Sequence, residues 1–144
     1  MNKALKATVV PVLRNLGFTG SFPHFRRRQP KRIDLLTFQF DRYGGGFVIE
    51  IVQCDTEGFT NHWGEHIPPE KVTAWDVPQR VRVQPGAGSG TEGWFRYDLA
   101  KGDAFTRTAT SVIPFLEQIE KTFDDLSQIG KRRDGTETPG GRSL

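Results

Sequence analysis

One cysteine and one methionine occur among 144 residues. A lone cysteine cannot close an internal bridge, so a disulfide framework is excluded and a reducing compartment is permitted. No apolar run approaches the roughly 18 residues that a membrane-spanning helix needs. The N-terminus has Lys3 and Lys6 but no apolar signal stretch, because Pro11, Arg14 and Asn15 interrupt what there is. The expected location is the cytoplasm, with no membrane partner. Acid is missing from the front of the chain: residues 1–33 carry eight Lys and Arg and no Asp or Glu. Residues 34–79 reverse this, with eight acids against Arg42 and Lys71. The net charge of +3 therefore reflects a basic front and a basic tail, not a uniformly basic surface.

What the chain does have is phenylalanine, 11 of them, and 16 glycines. Its length suits one domain with one principal core, and such a domain buries roughly 70% of its extended-chain surface without needing staples. Leu5, Val9, Val12, Leu13 and Leu16 fall at helical spacing, with Pro11 inside the stripe. The helix either kinks at Pro11 or starts there, with Thr8 as its cap. Gly17 can stop it in the left-handed region. Residues 21–28 and 32–41 read as an antiparallel pair joined by Gln29-Pro30-Lys31. In the second, Leu36, Phe38 and Phe40 alternate with Thr37, Gln39 and Asp41, which predicts one buried face. Phe47, Ile49 and Ile51 repeat the pattern after the Gly44-Gly45-Gly46 reversal.

Residues 55–79 have no clean period and hold Pro68, Pro69 and Pro78, which predicts a long loop with one helical turn near Pro69–Val72. Arg80 to Val83 reads as an edge strand and Trp94 to Asp98 as another. Asp103 can cap a short helix and Ser111 a longer one. The second carries Val112, Phe115, Leu116, Ile119, Phe123 and Leu126 as its stripe, with Pro114 in its first turn. From Gly130 the chain is nearly devoid of apolar residues, so residues 1–128 are expected to form one domain and residues 129–144 a disordered basic, Gly-rich tail.

Leu16-Gly17-Phe18, Phe22-Pro23-His24-Phe25-Arg26-Arg27, the Asp34 to Phe40 strand and Gly44 to Glu50 together resemble the domain of unknown function family 4304, a set of bacterial proteins. His62-Trp63-Gly64, Ile67-Pro68-Pro69, Ala74-Trp75-Asp76 and Trp94-Phe95 extend the resemblance over roughly residues 5–125. It implies an α+β domain. It implies no reaction and no catalytic residues.

Four features invite a chemical reading. His62-Trp63-Gly64-Glu65-His66 spells H-x-x-E-H, the inverted zinc-peptidase pattern, in which His62 and His66 would bind metal and Glu65 would activate water. The pattern needs a helix, and Gly64 and Pro68-Pro69 oppose one. An irregular loop is expected instead, with Trp63 packed on the sheet or beside Trp75. A loop-borne metal site through His62, His66 and Glu65 or Asp76 is the alternative. Arg26, Arg27, Arg28, Lys31 and Arg32 gather at one hairpin near Phe22, Phe25 and Phe38, a pattern that can grip single-stranded nucleic acid. Gly86-Ala87-Gly88-Ser89-Gly90 lacks the Lys and helix start of a phosphate loop. Cys54 ends a strand and reads as a small core residue.

These observations predict an α+β fold: an antiparallel sheet of about five strands, with the N- and C-terminal helices packed on one face and the 55–79 loop partly covering the other. The expected function is a non-catalytic binding or interaction module, without a cofactor, that recognises a protein or small ligand through His62, Trp63, His66, Trp75 and Trp94. Nucleic-acid binding at the basic hairpin and metal-dependent hydrolysis at His62, Glu65 and His66 are the alternatives.

Overall fold

In the computed structural model, residues 1–88, 90–98 and 103–134 are described. The chain runs α1 (Asn2–Thr8), α2 (Val10–Asn15), β1 (Thr19–Ser21), β2 (His24–Arg28), β3 (Ile33–Phe40) and β4 (Gly46–Cys54). Next come β5 (Phe59–Thr60), β6 (His66–Ile67), β7 (Val81–Val83), β8 (Phe95–Arg96) and α3 (Ala104–Asp134). The antiparallel sheet has the order β1-β2-β3-β4-β7, and β8 also pairs with β4. The free edge of β4 is thus shared end to end: β8 takes Gly46 and Phe47, and β7 takes Ile49 to Ile51. With helices at both ends of the chain and an antiparallel sheet between, the fold is α+β. Among the described residues no helix is long and apolar enough to cross a membrane.

The alternation of β3 and β4 fixes the main core. Leu36 and Phe38 oppose Ile51 and Ile49, and all four point to the helices. There they meet Leu5, Val9 and Leu13 of the N-terminal helices and Val112, Leu116, Ile119 and Phe123 of α3. The rings of Phe22, Phe25 and Phe47 sit 5.1, 6.1 and 6.0 Å from that of Phe38. Such spacing is the usual range for attractive ring pairs.

Four local expectations change. Pro11 lies in the first turn of a second helix, one of the two expected arrangements: α1 ends at Thr8 and α2 begins at Val10, but Val9 holds the cap position and no side chain caps that start. Thr8 is therefore not the cap. Strand β3 is buried on both faces from Ile33 to Phe38, because Leu35 joins a second cluster on the sheet's other side. The two expected C-terminal helices are one continuous α3, with Pro114 in its interior. Asp103 does cap its start, accepting from Thr106 N at 3.4 Å, whereas the Ser111 hydroxyl donates back to the Thr108 carbonyl at 2.6 Å. A mid-helix Ser that bonds the preceding turn does not end a helix. Helix α3 runs to Asp134, beyond the Gln128 boundary expected for the folded domain. Residues 135–144 of the expected tail, and Ser89 of the glycine loop, lie outside the described residues.

Candidate functional site

Residues 55–79 leave the sheet after β4 and return before β7. Their outward half is a small hairpin, β5 against β6, with Phe59 opposite Ile67 and Thr60 opposite His66. Gly58 makes the entry possible: its φ is +103°, and a Cβ there would run into the Ile67 carbonyl. Asn61 holds the tip. Its Oδ1 accepts from Trp63 N and Glu65 N, both at 3.0 Å, and its Nδ2 donates to Glu65 Oε1 at 3.0 Å. Asn and Gly are residues that support such turns, and Gly64 takes φ +87°.

This tip contains the H-x-x-E-H sequence, and it is a hairpin end, not a helix. His66 Nδ1 is 2.9 Å from Thr60 Oγ1, a cross-strand bond. The ring of His62 lies 3.8 Å from that of Trp63. Among the described residues no group of three His, Cys, Asp or Glu is placed to hold a metal ion, so His62, Glu65, His66 and Asp76 do not converge. Trp63 differs from its expectation. It packs neither on the sheet nor beside Trp75 but stands 80% exposed, because the tight Asn61 turn points it away from the body of the protein.

The returning half is the anchor. Val72, Ala74 and Val77 are buried against Ile33, Leu35 and Val52, forming the second cluster on the sheet face opposite the helices. Burying a valine contributes about 1.5–3 kcal/mol, so Val72 and Val77 hold this short segment against the sheet. A single turn closes at Pro68, whose carbonyl accepts from Lys71 N and Val72 N. Thr73 and Asp76 then form a capping box around a short 3-10 turn, with Thr73 N donating to Asp76 Oδ2 at 2.8 Å. Arg80 clamps that turn from below, donating to the Ala74, Trp75 and Val77 carbonyls at 3.3, 3.4 and 3.0 Å. Trp75 is thereby fixed, 50% exposed, with its ring edge-on to His24 at 4.7 Å.

Beside this anchor a polar row crosses the sheet. The register places His24, Thr37, Glu50 and Arg82 side by side on β2, β3, β4 and β7. His24 Nδ1 lies 2.9 Å from Thr37 Oγ1. Glu50, 6% exposed, is held between two arginines: Arg80 Nε is 3.3 Å from Oε1 and Arg82 Nη2 is 3.5 Å from Oε2. The Arg82 guanidinium sits over the Trp94 ring at 5.2 Å. Trp94 is buried, so of the three tryptophans it alone is a packing residue. Burial lowers the His24 pKa below its ordinary 6.5; Asp76 opposes this and Arg26 adds to it. The imidazole is therefore neutral at neutral pH. The Cys54 thiol, half-buried at the end of β4, is pushed up to about 11 by burial and by Asp55, which leaves it protonated and a poor nucleophile.

The row was missed by motif reading, yet a signal existed. Glu50 interrupts Phe47-Val48-Ile49-Glu50-Ile51-Val52, and a carboxylate within a buried strand demands cationic partners. What the sequence did not say is that those partners are Arg80 and Arg82, some thirty residues on.

The basic hairpin does not form one patch. Strand alternation sends Arg27 to the helix face and Arg26 and Arg28 to the other. Arg26 Nη2 donates to the Val72 carbonyl at 2.8 Å, helping to hold the returning segment. Arg27 is largely covered, its guanidinium paired with the buried Asp34 and the exposed Glu120. Arg28 lies 3.9 Å from Glu70, both of them exposed. Lys31 and Arg32 occupy the turn between β2 and β3.

A family model described as a domain of unknown function, DUF4304, matches residues 9–125. Neither a curated protein nor a solved structure matches the chain. The matched span begins in the N-terminal helices and ends in α3, taking in the whole sheet, the excursion and the polar row. The chain therefore belongs to the DUF4304 family.

Proposed function

We propose that the protein is a non-catalytic recognition module that binds a protein partner through the 55–79 excursion. One observation carries the reading: Trp63 stands 80% exposed on a hairpin tip that Asn61 holds rigid. Apart from the His62 ring beside it, so exposed an aromatic gains little packing among the described residues. Tryptophan is among the residues most enriched at interface hot spots, where it fills a pocket on the other molecule. A projecting tip suits insertion into a partner, whereas small-molecule sites are concave. Trp75, half-exposed and fixed by Arg80, supplies a second anchor on the same excursion. The single unbridged cysteine suits a reducing compartment, and we place the module in the bacterial cytoplasm.

The alternatives receive less support. Two of the five hairpin bases are committed to internal partners, and a phosphate would have to compete with the Val72 carbonyl and with Asp34. The H-x-x-E-H imidazoles are engaged in a hydrogen bond and a ring contact.

The test begins with capture of binding proteins on the immobilised full chain, followed by titration calorimetry with the purified partner. Trp63→Ala should weaken binding by about 2 kcal/mol or more, the worth of a hot-spot residue. The same variant should leave the unfolding midpoint unchanged, since it removes no buried contact. A partner bound equally well by Trp63→Ala and Trp75→Ala, or one lost only when Arg28, Lys31 and Arg32 are replaced, would overturn the reading.

A further inference from the structure

On the helix side of the sheet, away from the excursion, a cleft of about 530 Å³ opens between the β2–β3 turn and the C-terminal half of α3. That volume is in the range of small-ligand sites. Its floor is polar and rigid. Asp34 is buried there, accepting from Arg27, Gln29 and Gln53, and Gln53 also donates to the Phe123 carbonyl at 3.1 Å and lies 3.2 Å from Ser127 Oγ. Every acceptor contact of Asp34 is thus to a side chain that lines the same cleft. The floor is preorganised without a ligand, and its Arg27 charge is met by Asp34 and Glu120.

The walls carry opposite and unspent charge. Lys31 and Arg32 line one side, on a turn closed by Gln29 N donating to the Arg32 carbonyl at 2.8 Å. Asp124 lines the other, on α3. Among the described residues none of these three is in an ion pair. A ligand bearing only negative charge would be repelled by Glu120 and Asp124, and one bearing only positive charge by Lys31 and Arg32. The complementary ligand carries both charges.

We infer that this cleft binds a small zwitterion of the amino-acid or short-peptide class, its carboxylate toward Lys31 and Arg32 and its ammonium toward Asp124. The surface is separate from the Trp63 tip, so the inference does not depend on the proposed protein partner.

The probe is L-alanyl-L-alanine, titrated into the full isotopically labelled chain by NMR, beside its N-acetyl and C-amide derivatives. The free dipeptide should shift the backbone signals of Lys31, Arg32, Asp124 and Ser127. Each blocked derivative should bind about tenfold more weakly, the usual loss for one charge-assisted hydrogen bond. In Lys31→Ser/Arg32→Ser the free acid and the amide should bind alike, and in Asp124→Asn the free amine and its acetyl derivative should bind alike. Lys31 and Asp124 are exposed, so these variants should keep the native signal dispersion. Trp63→Ala should bind the dipeptide unchanged. The inference is overturned if the dipeptide shifts no signals at the cleft, or if blocking either terminus makes no difference in the native chain.

Discussion

Arg27 and Asp34 face each other across β2 and β3 as register partners, and both Nε and Nη2 of the guanidinium donate to one oxygen, Asp34 Oδ2, at 3.1 and 2.9 Å. The pair sits at the edge of the main core, Asp34 buried and Arg27 largely covered, with the guanidinium over the Phe18 ring at 4.6 Å and its Nη1 donating to the Leu16 carbonyl at 3.0 Å. Three layers meet at this point: the end of α2, the hairpin, and α3 through Glu120. Removing one partner of a buried pair leaves the other charge uncompensated, which costs about 3–5 kcal/mol. Asp34→Ala should fall at the lower end, because Glu120 at 2.7 Å still faces Arg27. Arg27→Lys should also destabilise, since an ammonium cannot hold Asp34 through two nitrogens while reaching Leu16. Urea unfolding of both variants checks this, and a midpoint unchanged in Asp34→Ala would show the pair to be incidental.

Phe38 is the centre of the aromatic cluster, paired with Ile49 across the sheet and nearly free of solvent contact. Phe38→Ala should cost about 3–5 kcal/mol, from lost burial plus the cavity left behind. The same change at Phe105, exposed on α3, should be close to silent. Comparing the two by chemical denaturation tests the assignment of faces directly.

Gly58 and Gly64 both have positive φ, but only Gly58 is sterically locked. Gly64 has open space where its Cβ would lie. Gly58→Ala should therefore disrupt the β5–β6 hairpin and destabilise the domain by well over the roughly 1 kcal/mol that a left-handed alanine alone costs. Gly64→Ala should cost no more than that conformational preference. If the excursion is the recognition element, partner binding should fall with Gly58→Ala and survive Gly64→Ala. Calorimetric unfolding and partner titration on the two variants separate these outcomes.

His24 is held neutral by burial, so its pKa in the folded state lies below the unfolded value of 6.5. In the window between those two values the unfolded chain binds more protons than the folded one. Stability contributed by this group is thus full above the unfolded pKa and declines as the pH falls through the window. His24→Gln should remove that part of the acid sensitivity, because glutamine does not titrate. Unfolding midpoints at several pH values between neutrality and about 5 should show a shallower decline for the variant than for the native chain. Parallel profiles would mean that His24 is as easily protonated in the fold as outside it.

Much of the fold was legible because it is local. The alternation in Leu36–Phe40 and Phe47–Ile51 specified two strands and their helix-facing side, and the stripe from Val112 to Leu126 specified the helix that covers them. Gly64 and the paired prolines spoke against a helix in the H-x-x-E-H segment, and the segment is a hairpin tip. Other features depended on partners distant in sequence. The alternation rule by itself leaves the second face of β3 open; the 55–79 segment is expected to cover it in part, but that Val72, Ala74 and Val77 are the residues that make it a core is decided in the fold. The split of Arg26-Arg27-Arg28 between two faces follows from period two, but the carbonyl and carboxylates that receive them lie on the excursion, β3 and α3. Trp63 and Trp94 are the same residue type, each beside a glycine, yet one is exposed and the other buried. Composition and periodicity record what each segment prefers by itself. Which charges become neutralised, which tryptophan is left to the solvent, and which charges line a cleft are decided by contacts between segments, and those exist only once the chain has closed on itself.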